Sequence, residues 1–372
     1  MIKKNIFSSI KPSINEIAKY VPGESGIKGR KNVIKLSSNE SPFKIPKKIF
    51  VKANKLTECS NLYPDGDSNL LKDSIAKKFK IKKRRIICGN GSDDILSIIT
   101  QAFSREDSEI ICSEYGFIYY PIIAKVAGAK VVTAKSRDYS ISCKNILASI
   151  SKKTTIIFIA NPNNPTGTVI MKNELINFLN KVPKNILVVI DGAYAEFVTD
   201  SKFSDGLSLT DQFPNLVVTR TFSKIFALAG LRLGWAYSSE KIIKTLEKIR
   251  GPFNVNIVAQ TIGSLILKED NFLKKSIKHN TVWKKKLSDF INFLGLDTYE
   301  TYANFILIKI DKKKFKKNAL IKQLVKHNIV IRDLENYGLP EFIRVSIGTN
   351  LEIEKFMKTM KSIVLSNVVK KN

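Results

Sequence analysis

The chain has 372 residues, of which 44% are hydrophobic and 26% charged, a composition that excludes a disordered or fibrous protein. At about 150 residues per domain, this length predicts two or three domains. The 62 Lys and Arg exceed the 33 Asp and Glu, so the formal net charge is +29. The lysines are spread along the whole chain with no reading motif among them, so we expect a solvated basic surface and no nucleic-acid partner.

Short apolar, β-branched runs alternate with amphipathic stretches through the first two thirds of the chain. The predicted strands are 86–88, 109–112, 130–133, 154–160, 186–190, 216–220 and 234–237. The predicted helices between them are 93–103, 118–127, 172–181 and 240–249. Several strands are apolar on consecutive residues, as expected where helices cover both faces of a sheet. The pattern predicts an α/β fold with a mainly parallel central sheet.

The pattern changes after about residue 255, where long helical stretches begin. Helices are predicted at 255–268 and 270–294, followed by a second set of strands and helices at 304–310, 317–328, 342–345 and 350–365. We expect a large domain over residues 46–268 and a smaller α+β domain over residues 269–372. The N-terminal segment 1–45 is expected to pack with the small domain and over the candidate site.

The chain carries no membrane or export signal that we can identify. Its apolar runs are too short to cross a bilayer, and polar residues interrupt the stretch that a signal peptide would need after the basic start. Cys59, Cys88, Cys112 and Cys143 lack CxxC spacing, which suits reduced thiols. We therefore expect a cytoplasmic protein. Only two histidines are present, too few for a metal site or a histidine-based triad.

Candidate chemistry begins with Asp191, at the end of the predicted strand 186–190. Ligands of open α/β sheets collect at the carboxyl ends of the strands, so a carboxylate there faces a ligand crevice. Tyr194 follows three residues later and is near enough to serve the same site. Taken alone, this pair is equally consistent with a strand-end turn.

Lys224 ends the segment Thr221-Phe-Ser-Lys224 directly after the predicted strand 216–220, and Arg232 follows eight residues later. An apolar stretch comes after the lysine, and no acidic residue lies nearby in sequence. A desolvated lysine near other cations has a lowered pKa and becomes a usable amine nucleophile. Schiff-base chemistry requires this property.

Two further loops follow predicted strands. The segment 161–167 reads NPNNPTG and, by itself, is an ordinary turn. The segment 89–92 reads GNGS and opens a predicted helix, which places free backbone N–H groups where an anion can bind. Because the full GxGxxG pattern is absent, a single phosphate fits this loop better than a dinucleotide.

Together these segments resemble the histidinol-phosphate aminotransferases, within the fold-type I pyridoxal-phosphate-dependent aminotransferases. The resemblance covers residues 12–365 and is carried by YVPG at 20–23, LSSNESPF at 36–43, YPDG at 63–66, GNGSDD at 89–94, SEYGF at 113–117, NPNNPTG at 161–167, DGAYAE at 191–196, 221–235, RGPFN at 250–254, NFIL at 304–307 and FIRVSIGT at 342–349.

The resemblance implies that the cofactor is pyridoxal 5'-phosphate and assigns its contacts. Lys224 would hold the cofactor covalently and then act as the base. Asp191 would pair with the ring nitrogen and keep it protonated. Tyr194 and Asn164 would bind the phenolic oxygen of the ring, and Tyr115 would stack on its face.

The resemblance also implies a phosphate site and a homodimer. Backbone N–H groups at Ser92 and Asp93 would bind the cofactor phosphate, together with Ser223 and Arg232, whose planar fork suits phosphate. Thr221 belongs to the same cofactor-binding set. Tyr63 would reach the phosphate from a second subunit, so a homodimer would be part of the site.

On the substrate side, Arg344 matches the carboxylate-binding arginine of the family, and Arg332 matches its second anion-binding arginine. Tyr20 and Asn39, from the N-terminal segment, would close over the substrate. Two arginines suit a phosphate monoester on one substrate and the two carboxylates of glutamate on the other.

The resemblance thus implies transamination between histidinol phosphate or imidazole-acetol phosphate and 2-oxoglutarate or glutamate, in histidine biosynthesis. Three alternatives stay open. An aromatic amino-acid aminotransferase, or an enzyme with both specificities, would bind a carboxylate in the same anion pocket. A phosphothreonine decarboxylase-like enzyme would orient the substrate carboxylate, and not the hydrogen, perpendicular to the ring. A non-catalytic polyanion-binding protein would use only the basic surface.

Overall fold

The structure is a computed structural model that describes residues 10–56, 58, 61–311 and 315–369. Cys59 therefore lies outside the described residues. The strands are β1 Ile34–Leu36, β2 Ile86–Gly89, β3 Glu109–Ser113, β4 Lys130–Ala134, β5 Thr154–Ala160, β6 Leu187–Asp191, β7 Leu216–Thr221, β8 Gly234–Tyr237, β9 Asp297–Tyr299, β10 Phe305–Lys309, β11 Ile329–Asp333 and β12 Phe342–Ser346.

The α-helices lie between these strands and at both ends of the described chain. They are α1 Pro12–Asn15, α2 Lys47–Leu56, α3 Asn69–Phe79, α4 Ser92–Phe103, α5 Tyr119–Val126, α6 Cys143–Ala148, α7 Lys172–Lys181, α8 Glu240–Glu247, α9 Ile257–Ile266, α10 Asp270–Phe293, α11 Lys317–Lys326 and α12 Asn350–Val369. No described helix is long and apolar enough to span a membrane.

Seven strands form the larger sheet, in the order β2-β8-β7-β6-β5-β3-β4. The neighbouring pairs β7–β6, β6–β5, β5–β3 and β3–β4 are parallel, whereas β8 is antiparallel to both β7 and β2. Since β2 is reached through two antiparallel steps, it runs in the same direction as β7. The carboxyl ends of β2, β3, β5, β6 and β7 therefore meet at one edge of the sheet, as predicted for a ligand site.

Side chains of β6 show why this sheet is covered on both faces. Val188 and Ile190 point into one hydrophobic cluster, while Leu187 and Val189 point into a second cluster on the opposite face. All five residues of β6 are buried. Alternate residues of a strand face opposite sides, so an uninterrupted apolar strand requires helices on both. The predicted α/β class with a mainly parallel sheet is confirmed.

The second sheet has the order β1-β11-β12-β10-β9. Only the pair β1–β11 is parallel among its described strands, and the other pairs are antiparallel. Its core includes Leu36 from the N-terminal segment together with Phe356 and Met360 of α12. The N-terminal segment thus shares a sheet with the C-terminal strands. The domain limits at residues 45/46 and 268/269 stay a prediction.

Candidate active site

A cavity of about 480 Å³ lies at the carboxyl edge of the large sheet, closed by the N-terminal segment and by the second sheet. All predicted site residues except Tyr63 and Tyr115 line it, namely Tyr20, Asn39, Ser92, Asp93, Asn164, Asp191, Tyr194, Thr221, Ser223, Lys224, Arg232, Arg332 and Arg344. Residues that are far apart in sequence therefore meet in one place, because the strand ends converge there.

A larger and more open cleft of about 1010 Å³ lies between α3, α8 and the turn that precedes β2. None of the predicted site residues lines it. Its basic side chains are partly paired with acids, since Glu247 lies 2.8 Å from Lys72 and 2.7 Å from Arg250. This cleft offers charged side chains but contains neither Lys224 nor Asp191. The smaller cavity is therefore the candidate active site.

Lys224 lies three residues after β7, which ends at Thr221, so the end of a buried strand places its backbone near the sheet edge. Its Nζ donates to the backbone oxygen of Ser38 at 3.3 Å and lies 5.8 Å from the centre of the Tyr194 ring. Burial, and then the positive charge of Arg344, lower the pKa of Lys224 to about 8. About a tenth of the amine is thus uncharged at pH 7, far more than for an ordinary lysine, and the uncharged form is the nucleophile.

Asp191 ends β6 and is buried. Its Oδ2 accepts a hydrogen bond from the Tyr120 hydroxyl at 2.9 Å, and its Oδ1 accepts one from Thr219 Oγ1 at 3.2 Å. Burial raises the pKa of Asp191 to about 6, against the lowering effect of these donors. In the part of the chain that the structure describes, Asp191 forms no ion pair. The carboxylate therefore lacks a cationic partner.

A hydrogen-bonded cluster links the N-terminal segment to both sheets. Asn39 donates through Nδ2 to the Tyr194 hydroxyl at 2.9 Å. Arg344, on β12, donates to Asn164 Oδ1 through Nη1 and to the backbone oxygen of Ser37 through Nη2, the latter at 3.0 Å. The Arg344 Nε is buried without a partner, although buried donors are normally satisfied. An anionic ligand in the cavity would satisfy it.

The start of α4 forms the second anion-binding element. Glycine is required at position 234, because a Cβ there would lie 2.3 Å from the Ser92 backbone nitrogen. Gly91 has φ +93°, and a Cβ at this position would lie 2.6 Å from Arg232 Nη2. Arg232 also lies 3.3 Å from the Asp93 carboxylate. Close backbone packing thus gathers helix N–H groups and one guanidinium around a space suited to phosphate.

Ser223 and Thr221 complete this corner of the cavity. Ser223 Oγ accepts a hydrogen bond from Arg232 Nη1 at 3.4 Å, and the Ser223 backbone N–H donates to Thr221 Oγ1 at 3.1 Å. Both side chains are buried. Their hydroxyl groups supply further hydrogen-bonding capacity to the same space.

Arg332 and Arg344 are cross-strand partners in the antiparallel pair of β11 and β12. Arg332 donates to the backbone oxygen of Val21 at 2.9 Å and lies 5.6 Å from the Tyr337 ring centre. Neither arginine forms an ion pair with a described acidic residue, although both are buried. Tyr20 lines the same end of the cavity, and burial raises the pKa of its hydroxyl. This end therefore suits an anionic substrate.

The structure places Tyr115 and Tyr63 away from the cavity. Tyr115 packs against Tyr139, with ring centres 5.8 Å apart, while Phe117 lines the cavity in its place. Tyr115 packs toward the second sheet, so its stacking on a ligand stays a prediction without support from this geometry. Tyr63 is 82% exposed and stacks on Phe253 at 4.6 Å, so it does not reach the cavity of its own chain.

Sequence reasoning missed three side chains of this site. Phe117 lies within the segment SEYGF at 113–117, two residues after Tyr115. Tyr120 and Thr219 carry the hydrogen bonds to Asp191, but they belong to a helix and to a strand interior that gave no separate signal. Pairing between β6 and β7, which aligns Asp191 with Thr219, would have pointed to Thr219.

Comparison with known proteins identifies the class. Residues 31–360 match the model of the family "Aminotransferase class I and II", and the chain belongs to this family. The curated relatives include the histidinol-phosphate aminotransferase of Pelagibacter ubique, 41% identical over 350 residues, which cover 94% of this chain and 97% of the relative. That of Granulibacter bethesdensis is 37% identical, covering 95% of each chain.

Solved structures show the same fold. The crystal structure of histidinol-phosphate aminotransferase from Sinorhizobium meliloti, in complex with pyridoxal-5'-phosphate, matches with a TM-score of 0.89 at 23% identity, covering 97% of this chain and 98% of that one. The enzyme from Clostridium acetobutylicum matches with a TM-score of 0.83 at 27% identity, covering 90% and 100%. The expected membership of the aminotransferases is confirmed.

The lowered pKa of Lys224 has a consequence for stability. An unfolded chain keeps this amine protonated up to its ordinary pKa of 10.5, whereas the folded chain releases the proton near pH 8. The charged amine therefore costs stability fully below pH 8, and this cost disappears as the pH rises toward 10.5. We expect Lys224→Met to stabilise the protein by about 2 kcal/mol at pH 7 and by much less at pH 10.

Urea denaturation of ligand-free protein at the two pH values measures this difference. Lys144→Met, at an exposed lysine, is the matched control and should stay within about 0.5 kcal/mol of the parent at both. Equal stabilities of the parent and Lys224→Met at pH 7 would show that the amine is not desolvated.

Proposed function

We propose that this chain transfers an amino group between histidinol phosphate or imidazole-acetol phosphate and glutamate or 2-oxoglutarate, in histidine biosynthesis. The observation that carries the proposal is the pair of buried arginines, Arg332 and Arg344, beside a lysine and a carboxylate in one cavity. The relatives that align over nearly the whole chain at 36–41% identity are named as histidinol-phosphate aminotransferases. A cytoplasmic location belongs to the same proposal.

The cavity fits pyridoxal 5'-phosphate as the cofactor. When bound, this group supplies the aldehyde and the electron-accepting ring that amino-group transfer needs. Lys224 would hold it covalently, and Asp191, which has no cationic partner among the described residues, would face its ring nitrogen. Tyr194 and Asn164 would bind its phenolic oxygen. The stacking contact expected of Tyr115 is assigned instead to Phe117, which lines the cavity.

The phosphate of the cofactor would occupy the space at the start of α4. Helix N–H groups at Ser92 and Asp93 favour an anion there, and Arg232 and Ser223 face the same space. This arrangement fits a phosphate better than a carboxylate, since it offers donors from several directions. Thr221 orients Ser223 through the bond to its backbone N–H.

Lys224 also supplies the base. With its pKa lowered to about 8, the amine is basic enough to accept the proton from the substrate Cα, and a far larger fraction of it is uncharged at neutral pH than for an ordinary lysine. Arg344, close enough to lower that pKa, would bind the carboxylate of the amino-acid substrate and thereby orient the Cα toward Lys224. Positioning of this kind contributes to the rate by fixing the reacting atoms in contact.

Arg332 would bind the phosphate of histidinol phosphate, with Tyr20 and Asn39 closing over the substrate from the N-terminal segment. Of the two arginines, Arg332 is the one whose guanidinium lies 5.6 Å from the Tyr337 ring centre. Burial raises the pKa of Tyr20, and the charge of Arg332 opposes this rise more than that of Arg344 does. A substrate that reaches from Lys224 to Arg332 needs an anionic group at its far terminus. Histidinol phosphate has one, whereas phenylalanine does not.

Arg332→Ala should therefore discriminate between substrates. We expect kcat/KM for histidinol phosphate to fall by about 10- to 150-fold, the loss that removal of a charged hydrogen bond causes, while the value for phenylalanine changes little. Steady-state assays of both substrates, with 2-oxoglutarate as amino acceptor, measure the two effects in parallel.

Arg137→Ala, at an exposed arginine, is the control and should leave both values unchanged. Equal losses on the two substrates would reject the phosphate-binding role of Arg332. A parent that prefers phenylalanine would replace the proposed function with an aromatic aminotransferase.

We further propose that the chain works as a homodimer in which Tyr63 reaches the cofactor phosphate of the partner. Support comes from apolar side chains that the described chain leaves uncovered, with Leu62 61% and Tyr63 82% exposed. Tyr63 is held by its stacking contact with Phe253 and points away from its own cavity. Exposed apolar residues grouped in this way are typical of subunit interfaces.

Mixed dimers of Lys224→Met and Tyr63→Ala test the exchange of Tyr63. In a hybrid, the subunit with Lys224 would receive an intact Tyr63 from the other, so one complete site would form. Since half of randomly paired dimers are hybrids with one intact site, we expect co-expression to restore roughly a quarter of the parental activity. Each variant alone should be strongly impaired. Mixtures no more active than the separate variants would place Tyr63 in its own subunit's site or in none.

A further inference from the structure

Tyr120 is a buried tyrosine of α5 that the mechanism above does not use. Its ring stacks on Phe158, with centres 4.9 Å apart and planes 12° apart, and meets Phe117 edge-on at 5.5 Å. These two contacts fix the ring plane. The hydroxyl is thereby directed at Asp191, to which it donates at 2.9 Å.

Asp191 depends on neutral donors for the stability of its charge. Tyr120 binds Oδ2 and Thr219 binds Oδ1 at 3.2 Å, and no described lysine or arginine pairs with the carboxylate. Burial alone favours the protonated acid, while a donor to the carboxylate favours the ionised form. A protonated Asp191 would offer no negative charge to a ring N–H group.

We propose that Tyr120 is a positioning residue, which orients Asp191 and keeps it ionised so that it can pair with the protonated ring nitrogen of the bound cofactor. This inference rests on the proposed function. The tyrosine suits the task because burial raises the pKa of its hydroxyl well above the ordinary value, so the group remains a donor. Its ring also supports Phe117, so a single residue holds both the carboxylate and the cavity wall in place.

Tyr120→Phe separates these two contributions, since the ring stays and only the hydroxyl is lost. Dissociation constants are measured by fluorescence titration of cofactor-free protein with pyridoxal 5'-phosphate and with its 1-deaza analogue, which has carbon in place of the ring nitrogen. We expect the Kd of pyridoxal phosphate to rise about tenfold or more, and that of the deaza analogue to change less than twofold.

Tyr119→Phe is the matched control, because it removes a hydroxyl from the adjacent residue of the same helix. That hydroxyl shares a hydrogen bond with Ser97 Oγ at 2.9 Å and does not contact Asp191. Both Kd values should equal those of the parent. Thr219→Val removes the second donor without changing the side-chain shape and should reproduce the selective loss, which provides a test if Tyr120→Phe folds poorly.

An equal rise of both Kd values in Tyr120→Phe and in Thr219→Val would overturn the proposal, since the hydroxyls would then support packing alone. Parental Kd values for both ligands in both variants would also overturn it. Failure of the unaltered chain to bind pyridoxal phosphate has a different meaning, because it would refute the proposed function itself.

Discussion

The site depends on an acid and an amine that share one largely desolvated cavity, with no counter-ion paired to either among the described residues. Burial pushes the pKa of Asp191 up to about 6 and that of Lys224 down to about 8, so both pKa values lie much closer to neutral pH than those of an ordinary aspartate and lysine. The rest of the fold holds Asp191 and Lys224 in this buried cavity. β6 and β7 place the two residues at the same sheet edge, and residues of the N-terminal segment and of β12 line the cavity around them.

Most of the large sheet could be predicted because its strands are buried on both faces. An apolar run such as Thr154–Ala160 or Gly234–Tyr237 is readable from local sequence alone, and the structure has these bounds. β1, β9 and β11 are not among the predicted strands. β1 and β9 have only three residues each, and β1 exists only through a distant partner. Ile34 of β1 pairs with Ile329, almost three hundred positions later. Local periodicity contains no information about such pairing.

Part of the candidate site could also be predicted from the buried strands, because site residues lie at or near the ends of these strands. Residues at or shortly after the end of a buried strand, such as Asp191 and Lys224, were placed because strand ends converge. Stacking of Tyr115 on a ligand stays a prediction. In the structure Phe117 lines the cavity, because a turn sets which of two nearby aromatic residues faces it, and sequence does not give that direction. The contact of Tyr120 with Asp191 could not be predicted from the sequence either. The role of Tyr120 arises from a 2.9 Å contact between helix and strand, which composition and spacing do not reveal.

The proposed function requires the Lys224 amine to form the covalent link to pyridoxal phosphate opposite Asp191. Treating the protein with one equivalent of this aldehyde, reducing it with sodium borohydride and mapping the peptides tests this most directly. We expect loss of the visible absorption band and one phosphopyridoxyl group per chain, on the peptide that contains Lys224. A label distributed over the many exposed lysines, with Lys224 unmodified, would contradict it.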